Sequence, residues 1–168
     1  MKYLVTGPAG AGKSTIASAL AERGYVAYDT DEVPGASSFE EIATGRAIGF
    51  AEVSHPIDFR RFAWNWQLDA LHELLESADD VFICAATGNT EEQRHLFDRV
   101  FALKADEATI RKRLHARTKT FGKHPAELAA VLTHNRVFVD KWSARGAVVI
   151  DATQPLDAVV DEIVSLMG

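Results

Sequence analysis

The 168 residues carry 18 basic and 24 acidic side chains, a formal charge of −6, with 47% hydrophobic and 25% charged residues. That is ordinary globular composition, long enough to bury a core, and its acidic balance argues against a nucleic-acid or membrane-surface footprint. No apolar run approaches the roughly 20 residues that span a bilayer, the N-terminal stretch is too short for a signal peptide's apolar region, and the lone Cys84 cannot form an internal disulfide, so a cytoplasmic location is expected.

In chain order, residues 2–6 read as a first strand that opens directly into a glycine-rich turn. A helix follows over 13–23 with Ile16, Ala17 and Leu20 on one face, stopped by Gly24. Residues 25–28 form a short second strand ending at Asp29-Thr30-Asp31. The segment 32–59 holds Pro34-Gly35, Gly45, Gly49 and His55-Pro56, which predicts short helices and turns. From about Arg60, Trp64, Leu68, Leu71 and Leu75 recur at spacings of three and four, which predicts a helix with Phe62 and Trp66 near one side and Trp64 elsewhere. These aromatics read either as core or as a wall for a ring-containing ligand. Residues 81–86 are the best buried-strand candidate, followed by the turn Thr87-Gly88-Asn89. Residues 100–103 form a fourth strand, and a helix runs from its N-cap Asp106 to about Arg117. Leu128, Val131, Leu132, Asn135, Phe138 and Trp142 trace one side of another helix. Residues 147–150 are a last strand, and Pro155 starts a C-terminal helix in which Thr153 is the expected cap. Alternation of short apolar runs with amphipathic stretches predicts an α/β chain of repeated βα units forming a single domain over 1–168.

Gly7-Pro-Ala-Gly-Ala-Gly-Lys-Ser14 matches the Gly-x-x-x-x-Gly-Lys-Ser phosphate-binding pattern, the Walker A motif. Its glycines let backbone N–H groups turn inward toward phosphate oxygens, and the following helix presents its positive end to them. Lys13 is expected to reach the β- and γ-phosphates of ATP or GTP, and the Ser14 hydroxyl to ligate Mg2+. Gly7, Gly10, Ala11, Gly12 and Thr15 complete the expected nucleotide site. The third strand ends Cys84-Ala85-Ala86 without a carboxylate, so Asp29 is the expected second partner of the metal. The six histidines lack metal-ligand spacing, and no zinc role is expected.

The motif's position, the acid pair and the downstream arginines resemble the nucleoside-monophosphate-kinase-like group of P-loop kinases, most of all shikimate-kinase-like and adenylate-kinase-like proteins. The resemblance implies a three-layer fold with a parallel five-stranded sheet in the order 2-3-1-4-5 and a small lid over about 117–127. It implies that Asp29 lies on the magnesium side and that Asp31 binds the acceptor hydroxyl, either orienting it or also serving as base. Arg117 would close from the lid over the transferred phosphoryl group, with Arg113 second. Arg136, Arg60, Arg61 and Gly88 fall where such relatives bind their acceptor, and the region of about 32–62 would shape that pocket. Residues 151–155 would hold the nucleotide base, while Lys119 and Lys123 read as surface charges. Thr87-Gly88-Asn89 has one glycine where shikimate kinases carry a richer run.

The expected activity is ATP-dependent transfer of a phosphoryl group to a small-molecule acceptor, in a monomer or homodimer with no nucleic-acid or membrane partner. The alternatives are a nucleoside or nucleotide kinase, and a nucleotide-gated regulatory ATPase without an acceptor.

Overall fold

A computed structural model describes residues 1–167; the last residue of the expected domain, Gly168, lies outside them. The chain runs β1 (Lys2–Thr6), α1 (Lys13–Glu22), β2 (Val26–Asp29), β3 (Ser37–Glu41), β4 (Arg46–Ile48), β5 (Phe62–Trp66), α2 (Leu68–Glu76) and β6 (Val81–Cys84). It continues through β7 (Arg99–Lys104), α3 (Glu107–Ala116), α4 (Pro125–Ser143), β8 (Val148–Asp151) and α5 (Leu156–Ser165).

Five strands form one parallel sheet in the order β2-β6-β1-β7-β8. Counting only those strands, this is the 2-3-1-4-5 order expected, within the α/β three-layer P-loop fold. Both faces are covered by helices, which is why β1, β6 and β7 read as continuous apolar runs. Alternate residues serve opposite layers. Tyr3, Val5, Phe82, Phe101 and Leu103 pack with Ile16 and Leu20 of α1 and Val160 and Ile163 of α5. Leu4, Ile83, Val100 and Ala102 pack with Leu71 and Leu75 of α2 and Phe138 and Trp142 of α4.

Residues 32–66 differ from the sequence expectation. A second, antiparallel sheet ordered β4-β3-β5 replaces the expected short helices, with one 3-10 turn at Phe50–Glu52. Gly45, at φ 67°, closes the turn between β3 and β4. The expected helix from Arg60 is instead strand β5, and α2 begins only at Leu68. The physical reason is the two-residue alternation of Phe62, Trp64 and Trp66, aromatics that suit a pleated surface. Its junction with Leu68, Leu71 and Leu75 mimics a helical period.

The small sheet has its own apolar centre of Phe39, Ile48, Val53 and Ile57 and is tied to the main sheet through β5. Trp66 is 1% exposed, and its indole Nε1 donates to Thr30 Oγ1 at 2.9 Å, just past β2. Asn89, after β6, accepts from Trp66 N at 3.0 Å and donates to Trp66 O at 3.1 Å. Gly88 N donates to Trp64 O at 2.7 Å. Removing the Trp66 ring should therefore leave a cavity and take from the Thr30 hydroxyl its shorter hydrogen bond, leaving only the one from Ser37 Oγ at 3.4 Å. Trp66→Ala is expected to lower the unfolding free energy by about 3–5 kcal/mol, read as a drop in the urea midpoint.

Candidate functional site

The phosphate-binding pattern occupies the turn between β1 and α1. A Cβ on Gly7 would lie 2.9 Å from both the Ala11 and Leu103 Cβ atoms, so only glycine lets the turn lie flat on β7. Gly10 and Gly12 sit at φ 84° and 109°, the left-handed region that glycine enters without strain. Gly12 caps α1 with no side-chain hydrogen bond, so the first-turn amides of the helix stay available to an anion. Lys13 Nζ donates to the carbonyls of Gly7 at 2.7 Å and Pro8 at 3.2 Å, lying back over the loop. Burial lowers its pKa, while Asp31 and Asp29 across the rim work against that shift.

Asp29 closes β2 in register with Cys84 of β6. Its Oδ1 accepts from Asp31 N at 3.1 Å, and its Oδ2 is buried with no hydrogen-bond partner. Asp29, Glu32 and Ser14 line one recess of about 480 Å³ beside α1. A buried carboxylate oxygen without a partner next to a hydroxyl is the hard-oxygen donor set that Mg2+ takes alongside phosphate and water. Ser14 and Asp29 thus fit the ion. Cys84 does not: burial, aided by Asp29, pushes its thiol far up, which keeps it protonated. Among the described residues no group of three or more His, Cys, Asp or Glu could hold a metal.

Asp31 faces a larger cavity of about 1520 Å³ that also takes in the phosphate loop, Arg113, Arg117 and Gly88. That volume exceeds the few hundred to about 1,000 Å³ of a pocket for one small ligand. Trp64 Nε1 donates to Asp31 Oδ1 at 2.8 Å and fixes the carboxylate at the cavity wall. The lining combines the phosphate loop, Ala152, Gln154 and Leu156 with the apolar side chains Phe39, Ile57, Phe59, Phe62 and Trp64.

The family described as AAA domain matches residues 4–132, most of the chain. The chain belongs to this AAA domain family. No curated protein sequence matches it. Solved structures share the fold of this AAA domain protein. Deoxyadenosine kinase from M. mycoides with bound dATP aligns at TM-score 0.61 and 15% identity, covering 98% of each chain. Shikimate kinase from Bacteroides thetaiotaomicron aligns at 0.59 and 20% identity, over 99% of this chain and 98% of that one. A gluconokinase from Sinorhizobium meliloti aligns at 0.55 and 22% identity, over 98% and 89%. The likeness to P-loop kinases seen in the sequence is thus present in the fold of this AAA domain chain.

Arg113 does not point freely into the cavity. Its guanidinium bridges Ala11 O at 3.0 Å and Ala152 O at 2.8 Å, stapling the phosphate loop to the segment after β8. Arg117, at the end of α3, donates to the Phe121 carbonyl and lies 5.8 Å from that ring's centre. Its Nε is buried with no partner. Burial lowers its pKa, opposed by Asp31 and Glu127. Lys119, read from the sequence as a surface charge, instead pairs with Glu32 at 2.5 Å across the cavity mouth.

The remaining sequence candidates lie elsewhere. Arg60 is engaged by Asp58 at 3.0 Å, with 90% of its side chain exposed. Arg61 sits 3.8 Å from Glu41, and Arg136 donates to Glu107 at 2.7 Å on the α3–α4 surface. None of the three lines the cavity. Thr153 does not cap α5, which has no side-chain cap bond. Asp151 instead accepts from Thr153 N at 3.0 Å and Thr153 Oγ1 at 2.6 Å, making an Asx-type turn.

Sequence reasoning missed Glu127. This carboxylate in the first turn of α4 is 2% exposed. It accepts from His55 Nδ1 at 2.8 Å, Ile57 N at 3.0 Å and Gly122 N at 2.9 Å. One buried charge thereby gathers the α3–α4 loop and the segment before β5 onto α4, and the T-shaped Phe59–Phe121 contact at 5.8 Å joins the same two pieces. Burial pushes the Glu127 pKa up, but the hydrogen bonds from His55, Gly122 and Ile57 outweigh it and leave the value lowered. A carboxylate held below its unfolded value stabilises fully above that value and stops doing so as pH falls through the folded one. Glu127→Ala should cost about 2–4 kcal/mol at pH 7 by leaving three donors unpaired. Glu127→Gln should flatten the loss of stability of the native protein below about pH 4.5, measured by urea titration across pH.

Proposed function

We propose that this protein is an ATP-dependent kinase that transfers the γ-phosphoryl group to a hydroxyl of a small molecule. The observation that carries this reading is the position of Asp31. It lines one continuous cavity together with the phosphate loop and the apolar side chains of the small sheet, its carboxylate oriented by Trp64. In this reading that apolar part of the lining is a second compartment for the acceptor, which a protein that only hydrolysed nucleotide would not need.

In this reading Lys13 and the loop amides hold the β- and γ-phosphates, and Ser14 and Asp29 hold Mg2+. The ion would neutralise charge on the phosphate oxygens. Asp31 accepts a hydrogen bond from the acceptor hydroxyl and takes its proton as the oxygen attacks phosphorus. The new O–P bond forms as the bond from the γ-phosphorus to the β–γ bridging oxygen breaks, and ADP leaves. Arg117 swings from the Phe121 carbonyl toward the equatorial oxygens, the α3–α4 loop acting as a lid, so catalysis is positioning plus charge neutralisation. Arg113 holds the loop to the base-side segment rather than touching the phosphoryl group. The 32–62 region forms the acceptor side within a single kinase domain. No helix among the described residues is long and apolar enough to cross a membrane.

Asp31→Asn keeps an acceptor for the Trp64 indole but loses the base. It is expected to lower acceptor-dependent ADP release by about 100-fold or more with little change in affinity for a non-hydrolysable ATP analogue. A variant with unchanged turnover would remove Asp31 from the mechanism. ADP release that no acceptor in a broad panel of polyols, cyclic acids, nucleosides and nucleotides accelerates would favour the regulatory-ATPase alternative.

A further inference from the structure

The acceptor side of the cavity has a definite chemical character. Phe39, Ile57, Phe59, Phe62, Trp64 and Phe121 line it, with Phe39 and Trp64 edge to face at 4.9 Å. Such walls suit the faces of a planar ring.

Charge is the more discriminating feature. Four cations line the whole cavity among the described residues: Lys13, Arg113, Arg117 and Lys119. Lys13 belongs to the phosphate loop, and Arg113 is committed to the Ala11 and Ala152 carbonyls. The other two are also committed. Lys119 pairs with Glu32 at 2.5 Å, and Arg117, which donates to the Phe121 carbonyl, serves the transferred phosphoryl group in the reading above. Arg60, Arg61 and Arg136 pair instead with Asp58, Glu41 and Glu107 and do not line the cavity. An acidic or phosphorylated acceptor would therefore bring an anion into an aromatic pocket with no surplus cation, beside two lining carboxylates. Like charges set side by side disfavour binding, and Asp31 and Glu32 set that repulsion against an anionic acceptor.

We infer that the acceptor is an uncharged alcohol carrying a planar ring, and that carboxylate- and phosphate-bearing analogues are excluded by charge. The inference rests on the kinase reading for the transfer itself but not for the binding preference. The balance of the reaction is that given above: the neutral alcohol loses its proton to Asp31 and leaves as a phosphate monoester.

The test uses pairs of planar-ring alcohols that keep the ring and the reacting hydroxyl while one member carries a charge: methyl 4-(hydroxymethyl)benzoate against 4-(hydroxymethyl)benzoate, and adenosine, through its 5′-hydroxyl, against 3′-AMP. ADP release is measured with magnesium-ATP, and binding by calorimetry with magnesium and a non-hydrolysable ATP analogue. At least one neutral member should exceed its charged partner by about 100-fold in kcat/KM and should bind more tightly. Phe59 is 45% exposed and lines the pocket, so Phe59→Arg should fold and shift the ratio at least about tenfold toward the charged member. A native preference for the carboxylate or for 3′-AMP overturns the inference while leaving a kinase in place. If no acceptor raises ADP release, the kinase reading fails. The calorimetric ranking then decides alone: tighter neutral binding upholds the acceptor class, and equal, reversed or absent neutral binding overturns it.

Discussion

All five strands of the main sheet run the same way, so every segment that leaves a strand arrives at one rim. Parallel pairing requires crossovers that carry the chain back to the opposite edge before each new strand, so with β1 central the carboxyl ends of its neighbours open beside the phosphate loop. The acid pair after β2, the Thr87-Gly88-Asn89 turn after β6 and the Ala152 segment after β8 are brought together by this constraint alone. Their side chains then refine it. Arg113 pins the loop to the Ala152 segment, Trp64 orients Asp31, and Asn89 zips the turn to β5.

The second compartment is built differently, from elements too small to stand alone. β4 has three residues, and the sheet it joins has three strands. A sheet of that size is marginal without support. Its support is Trp66 in the main core, and Glu127, whose buried charge must find donors and finds them in both flanking loops. The polar bonds that hold the loops are also what leave the apolar side chains lining a cavity instead of collapsing into it.

The division between these two halves is also the division in what the sequence shows. The glycine-lysine turn and the strongly apolar strands carry short-range patterns, and the sheet order is implied by the family resemblance those patterns support. The segment Ser37–Glu41 alternates partly buried serines and glutamates about one phenylalanine, with no apolar run to mark a strand. Phe62–Trp66 does alternate, but it abuts α2 at a spacing that continues a helical count. Glu127 looks like any acid that favours a helix N-terminus, because His55 lies 72 residues away and two of its three donors are backbone amides. Arg113 shows the same limit: its partners are carbonyls, which no residue pattern displays. The arginines at 60, 61 and 136 were suggested by resemblance, and each instead meets a nearby acid.

Two atoms at the rim share an unusual condition. Asp29 Oδ2, an acceptor, and Arg117 Nε, a donor, are both buried without partners. Each such orphan costs the folded chain about 1–3 kcal/mol. The two have opposite appetites, one for a cation and one for an anion, and a metal–phosphate complex offers both at once. A ligand of mixed charge would relieve both, so part of the affinity for it would be written as instability of the protein alone.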